Sequence, residues 1–213
     1  MNPADYDAWY DTTRGRWVGE TEYALAARLL AAQPGDSLLD VGCGTGWFSR
    51  RAAADGLVTT GLDPNAAWLD YARAHGSATS NWVEGDARDL PFADASFDHV
   101  LSIAALCFVD DESRAVAEAV RVARHRFAIG WLNRSSLLYW QKGRGGGSGA
   151  YRGARWHTAG EVRALFSGLP VRKLTLRSAI FLPSATRTAR CLEQAIPGAL
   201  PWGGLLLATG EKA

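Results

Sequence analysis

The sequence predicts an α/β domain with a mostly parallel sheet of seven strands, helices on both faces and a C-terminal antiparallel strand pair. Three observations predict it. Short apolar runs alternate with stretches of helical spacing, as successive βα units require. A glycine-rich turn, Gly42 to Gly46, stands where the first run passes into a helix. The length, 213 residues, suits one domain with a core of its own.

The elements follow in order. Glu20 to Gln33 places Tyr23, Ala26, Ala27 and Leu30 at helical spacing and ends at the Pro34-Gly35 breaker. Ser37 to Val41 is a short apolar run between turn signals, the pattern of a strand buried on both faces. Trp47 to Asp55 has helix-forming character, and Leu57 to Leu62 is rich in β-branched residues and closes on Asp63. A helix at Asn65 to His75, a strand at Ser80 to Glu84 and an apolar strand at Phe97 to Ile103 continue the alternation. Asp111 to Arg124 repeats Ala115, Ala119 and Val122 at helical spacing, with Asp111 as its cap, and Arg126 to Leu132 is a fifth strand. Lys142 to Gly153 holds too many glycines for a helix or a strand and is expected to be a surface loop. Thr158 and Glu161 have capping-box spacing at the head of a helix to Phe166. Val171 to Leu182 and Gly204 to Thr209 are two closing strands around a short helix at Arg187 to Ala195.

Hydrophobic residues make up 47% of the chain and charged residues 21%, a globular composition. A net charge of +1 supplies no broad field to hold a phosphate backbone, so a small molecule rather than nucleic acid is the expected partner. The arginines at 121, 124, 126, 144, 152 and 155 with Lys142 are expected to be a solvated face. Cys43, Cys107 and Cys191 form no CxxC pair, which fits reduced thiols in the cytoplasm. The acidic, aromatic opening to Tyr10 is unlike a secretory signal, and no apolar run approaches the roughly 20 residues that span a bilayer. A monomer or homodimer is expected.

The glycine turn carries the chemistry. In the dinucleotide fingerprint the third glycine would stand at position 47, which is Trp47 here, so the pattern is GxGxG and not the phosphate-binding one. A ligand without pyrophosphate fits this spacing better. Asp63 stands 21 residues after Gly42, where a carboxylate can accept both hydroxyls of an adenosine ribose. Asp86 follows the third strand, where it can accept the exocyclic amine of adenine while the Ala87 backbone meets the ring edge. Each aspartate alone also reads as a turn or cap residue; together they bracket a nucleoside.

The runs LLDVGCGTGWFS, GLDPN and EGDARDLPFADASFDHVLSIAAL closely resemble the Rossmann-like, class I methyltransferases that use S-adenosylmethionine (SAM). The branch they are similar to is the small-molecule group that includes ubiquinone and menaquinone biosynthesis methyltransferases (methyltransferase type 11). The resemblance is strong from Leu38 to Val122, moderate for YDAWYDTTRGRW and weak after Leu132. It implies that Asp40, Gly42, Gly44 and Thr45 face the methionine part of SAM, that Asp63 beside Pro64 meets the ribose and that Asp86 and Ala87 meet the adenine. It implies main-chain contact with the SAM amino group near Ser102 and Ile103. It also implies that Tyr6, Trp9, Tyr10 and Trp17 fold over the cofactor, with Tyr10 among its contacts. Residues 1–19 would then be a cap, 36–132 the SAM-binding core, 133–157 a glycine-rich lid loop and 158–213 the substrate side.

Methyl transfer from a sulfonium is favourable, so positioning can suffice and no catalytic residue is obligatory. His75, His99, His125 and His157 have no metal-ligand spacing, and transfer without metal is expected. His157 is the one candidate base, with a helix-start role as the alternative. Asp110 and Asp111 are expected to start a helix rather than to hold magnesium. Trp131, Trp140 and Trp156 flank the glycine-rich loop, which suggests an apolar or aromatic acceptor. Two alternatives remain: a SAM-binding protein without catalysis, and an NAD-dependent oxidoreductase, which Trp47 opposes.

Overall fold

The computed structural model describes residues 2–77 and 80–213, so Met1 of the opening segment lies outside the described residues. Seven strands, β1 (Ser37–Val41), β2 (Val58–Asp63), β3 (Ser80–Glu84), β4 (Phe97–Ile103), β5 (Ala123–Leu132), β6 (Val171–Ala179) and β7 (Leu205–Lys212), form one sheet in the order β3-β2-β1-β4-β5-β7-β6. The first five pair in parallel, and β7 runs antiparallel to both β5 and β6. Strand order reverses between β1 and β4, and the crevice at the carboxyl ends of strands at such a switch point is where this architecture holds ligands.

Successive residues of a strand point to opposite faces, so each buried strand feeds two cores. Leu38 packs with Leu101, Ala128, Leu205 and Leu207 beneath the helices α2 (Thr13–Leu30) and α3 (Trp47–Ala54). Leu39, one residue on, packs with Val100, Phe127, Ile129 and Leu206 against α5 (Glu112–Val122) and α6 (Ala159–Ala164) on the other face. Each such leucine, fully buried, stabilises the fold by roughly 1.5–3 kcal/mol. Two further helices, α4 (Ala66–His75) and α7 (Arg187–Ala195), stand where the sequence predicts them, and α1 (Pro3–Trp9) was not expected.

Several boundaries differ from the expectation. The helix expected from Glu20 starts at Thr13, because the Thr12 hydroxyl caps it by accepting from Gly15 N at 2.9 Å. Gly15 and Gly19, which look like breakers, sit inside it because the cap packs there: a Cβ on Gly15 would lie 1.9 Å from the Trp9 carbonyl oxygen. The fifth strand begins three residues early, at Ala123, since Arg124 is held outside by Asp98 at 2.5 Å. Asp111 caps α5 by accepting from Arg114 N at 3.1 Å, and the Thr158–Glu161 capping box is present. The glycine-rich segment is not structureless. It winds through short turns at Tyr139–Gly143, Arg144–Gly146 and Gly149–Tyr151, which glycines at positive φ make possible, and Tyr139 and Tyr151 both pack on Trp156.

Candidate cofactor and acceptor site

β1 delivers the chain into the switch-point crevice. The amides of Gly42 and Cys43 donate to the Leu62 carbonyl at 2.7 and 3.0 Å, which turns the backbone sharply toward β2. Gly42, at φ +73°, lies so close to the loop after β4 that a Cβ would stand 2.4 Å from that of Ala105. Gly44, at φ +56°, has only the Trp68 ring near it, at 3.2 Å from a built Cβ. Here the left-handed backbone goes with close packing, which is least severe at Gly44.

Asp63 braces this turn. Its Oδ2 accepts from Gly44 N at 2.9 Å and its Oδ1 from Asn65 N at 2.9 Å, leaving the second lone pair of each oxygen for a ligand. Asp40 is buried with Oδ2 accepting from Ser49 Oγ at 2.6 Å. Burial pushes its carboxyl up to about 7, and the charge of Asp63 adds to the rise. Asp63 is itself raised by burial. Ser102 donates to the Val41 carbonyl at 2.8 Å and so ties the end of β4, with Ile103, to the turn. Gly85 N donates to the Asp63 carbonyl at 3.2 Å, which brings the Asp86-Ala87 turn alongside. Asp86 is gripped by Arg88, with contacts of 2.6 to 3.0 Å, and this hydrogen bonding pulls its carboxyl down to about 2.

Asp40, Gly42, Gly44, Thr45, Asp63, Pro64, Asp86, Ala87, Ser102 and Ile103 therefore gather along the carboxyl edge of β1 to β4. The set fits SAM. Two carboxyls, each held above its ordinary range by burial, favour a ligand that brings positive charge, as SAM does at its sulfur and amino group, and they oppose a pyrophosphate.

The cap lies over this turn. Tyr10, buried, stacks on Trp47 with ring centroids 4.4 Å apart, and Tyr6 meets Trp68 at 4.9 Å. Two residues not anticipated from the sequence fasten it. Arg50 donates to the Thr45 carbonyl at 2.6 Å and to both oxygens of Asp7 at 2.7 and 3.0 Å.

The tail of the glycine-rich segment is placed elsewhere than expected. His157 lies partly buried on the α5 face, Nε2 2.8 Å from Glu112 Oε2, and Arg155 holds the other Glu112 oxygen at 2.8 Å. That arrangement anchors the segment to the start of α5 rather than aiming an imidazole at the turn. Trp131 and Trp156 are core residues of the same face, and Trp140 is exposed with Arg144 over its ring at 4.7 Å. Trp156 packs on Tyr139 and Tyr151 of the glycine-rich segment, which it was expected to flank.

Among the described residues no helix is long and apolar enough to cross a membrane, and no three His, Cys, Asp or Glu side chains gather as metal ligands.

Comparison with known proteins agrees with this geometry. Residues 39–126 match the methyltransferase domain family. An uncharacterised protein of Mycobacterium tuberculosis (strain H37Rv) is 37% identical over 188 residues, 84% of this chain and 62% of the relative. A malonyl-[acyl-carrier protein] O-methyltransferase of Erwinia pyrifoliae is 42% identical over 108 residues, 49% of this chain and 41% of that protein. The chain thus spans between two fifths and two thirds of the length of these curated relatives. A crystal structure from Thermotoga maritima, described as a SAM-dependent methyltransferase and possible histamine N-methyltransferase, superposes with a TM-score of 0.78 over 99% of this chain and 96% of its own, at 24% identity. Residues 39–126 are thus similar to a methyltransferase domain, and the fold is that of the Thermotoga maritima structure.

Proposed function

We propose that this protein transfers a methyl group from SAM to a small-molecule acceptor by positioning and without metal, in the cytoplasm, as a monomer or homodimer. The observation that carries the reading is the Asp63 carboxylate bonded to Gly44 N, which fixes a GxGxG turn lined by carboxyls rather than by phosphate-binding cations. On this reading Asp40, Gly42, Gly44 and Thr45 hold the methionine part, Asp63 and Pro64 the ribose, Asp86 and Ala87 the adenine, and Ser102 and Ile103 present backbone to the amino group. When bound there, SAM supplies a methyl group on a positively charged sulfur, which departs as a neutral thioether.

The chain's own part is to align and to exclude water. The cap residues Tyr6 and Tyr10, latched through Asp7 and Arg50, cover the turn, and a closed site keeps water from stabilising the charged ground state more than the dispersed charge of the transition state. Alignment at near-attack distance supplies the remainder. Incubating the purified protein with methyl-labelled SAM and a metabolite extract tests the reading: label in a low-molecular-weight product is expected. Binding of SAM with no labelled product would mark a SAM-binding protein that performs no transfer.

A further inference from the structure

At the edge of the sheet opposite β3, helix α7 stands off from helix α2. Ala189 alone among the residues of α7 is buried, and a groove of about 780 Å³ lies between the two helices. Trp17, Ala24, Leu25, Ala179, Phe181 and Ile196 give the groove apolar walls. Its α2 side runs from Trp17 to Arg28, about 16 Å of helix. The opposite side is fixed by hydrogen bonds. The Glu193 carboxylate of α7 accepts from Phe181 N at 2.9 and 3.0 Å and from Leu182 N at 3.2 Å. Ser178 N donates to the Gly198 carbonyl at 2.7 Å, and Arg14 Nε donates to the Pro183 carbonyl at 2.8 Å. The groove is therefore built into the fold.

The polar groups along it are unevenly engaged. Glu20 is ion-paired with Arg51 of α3, and Glu193 is taken up by the two amides. Thr21 returns its hydroxyl to the Trp17 carbonyl at 2.7 Å, and Ser178 Oγ donates to the Leu200 carbonyl. Arg28, Arg187 and Arg190 line the same groove. Among the described residues none of their guanidinium groups has a hydrogen-bond or ion-pair partner, although Arg190 is half-buried. Arg187 and Arg190 also stand at the start of α7, where the helix dipole disfavours a cation and no acidic residue of the first turn offsets it. The groups still free to bind are thus three cationic donors beside apolar walls.

We infer that this groove binds a linear anionic amphiphile, a fatty-acid-like carboxylate whose chain lies on the apolar walls and whose head is taken by the arginines of α2 and α7. The volume falls within the roughly 300–1,000 Å³ of small-molecule sites, which favours a molecule over a partner chain. A guanidinium takes a carboxylate through paired N–H donors, and the charged hydrogen bond is stronger than a neutral one. An amine-headed chain would be repelled by three cations, and a compact anion would leave the apolar walls in water. An anion at Arg187 and Arg190 also relieves the cations at the start of α7. Asp40, Gly42, Gly44, Asp63 and Asp86 do not line the groove, so the site is separate from the one proposed for SAM.

The test is titration calorimetry of the full chain with decanoate, decanol, decyltrimethylammonium and acetate, each below the concentration at which it aggregates. Wild type is expected to bind decanoate at least tenfold more tightly than decanol or acetate and to give no response to decyltrimethylammonium. The double variant Arg187→Gln, Arg190→Gln is expected to bring decanoate down to the affinity of decanol. Ala24→Trp, which fills the groove from an exposed position of α2, is expected to abolish the binding of both. An unaltered melting curve in each variant shows that the fold is kept. Decanol or acetate bound as tightly as decanoate, or decanoate binding that survives either variant, overturns the inference. So does binding of a poly-glutamate peptide in place of decanoate, which would mark an acidic partner chain. A dimer that gives no response to decanoate and that Ala24→Trp dissociates would mark a second copy in the groove and overturns it as well.

Discussion

Asp7 and Arg50, 43 residues apart, meet through two contacts of 2.7 and 3.0 Å, and Arg50 reaches on to the Thr45 carbonyl of the glycine turn. The pair is the latch between cap and turn, with both side chains largely covered. Replacing Asp7 with Asn removes the charge and one acceptor and leaves a partly buried guanidinium short of partners. A loss of about 1–3 kcal/mol in unfolding free energy is expected, with weaker SAM binding, both read from thermal melts with and without SAM. Unchanged stability and affinity would show the cap to be held by its aromatic contacts alone.

Asp63→Ala deletes the brace of Gly44 N and Asn65 N as well as the proposed ribose acceptor. SAM affinity is expected to fall by about 1–3 kcal/mol, measurable by titration. An unaltered dissociation constant would move the ribose elsewhere.

Glu22 should leave a signature in stability against pH. Burial raises its carboxyl from an ordinary 4.5 to about 8, so the folded state holds its proton more tightly than the unfolded chain. The stabilisation is complete below the ordinary value and is lost as pH rises through about 8. Glu22→Gln, which cannot ionise, should therefore gain in melting temperature relative to wild type as pH is raised from 5 to 9. The groups facing Glu22, namely Tyr6, Tyr10 and Tyr151, are raised and stay protonated over this range, so they do not mask the effect. A constant difference between the two proteins would place Glu22 in water.

The segment Gly145 to Gly149 precedes Tyr151, whose ring packs on Trp156. We expect it to act as a lid, so that a short rigid turn in its place lowers turnover and leaves SAM affinity nearly unchanged. Unaltered turnover with the true acceptor would show it to be a linker.

The glycine turn and the strands around it were legible in the sequence because they are written in contiguous runs. SLLDV is apolar on consecutive residues since β1 is covered on both faces, and the turn glycines follow it directly. The packing of the opening segment and of the glycine-rich segment was not legible, for it is assembled from distant pieces. Gly15 and Gly19 stand in the first turns of α2, whose start at Thr13 depends on the Thr12 cap and on packing with the opening helix. Trp47 announced itself only as an obstacle to dinucleotide packing, and its stacking on Tyr10, 37 residues earlier, has no local signal. His157 looked free because Glu112, its partner, is 45 residues away in sequence.

The central claim is that the carboxyl-lined turn binds SAM. Titration calorimetry of wild type and Gly44→Val with SAM, S-adenosylhomocysteine and NADH tests it most directly. Valine at φ +56° is strained by about 1–2 kcal/mol, and its Cβ would stand 3.2 Å from the Trp68 ring beside the turn. The account predicts that wild type binds both SAM and S-adenosylhomocysteine and ignores NADH, and that Gly44→Val keeps a cooperative melt but loses both. Tight NADH binding with no response to either SAM species, or wild-type SAM affinity in Gly44→Val, would contradict it.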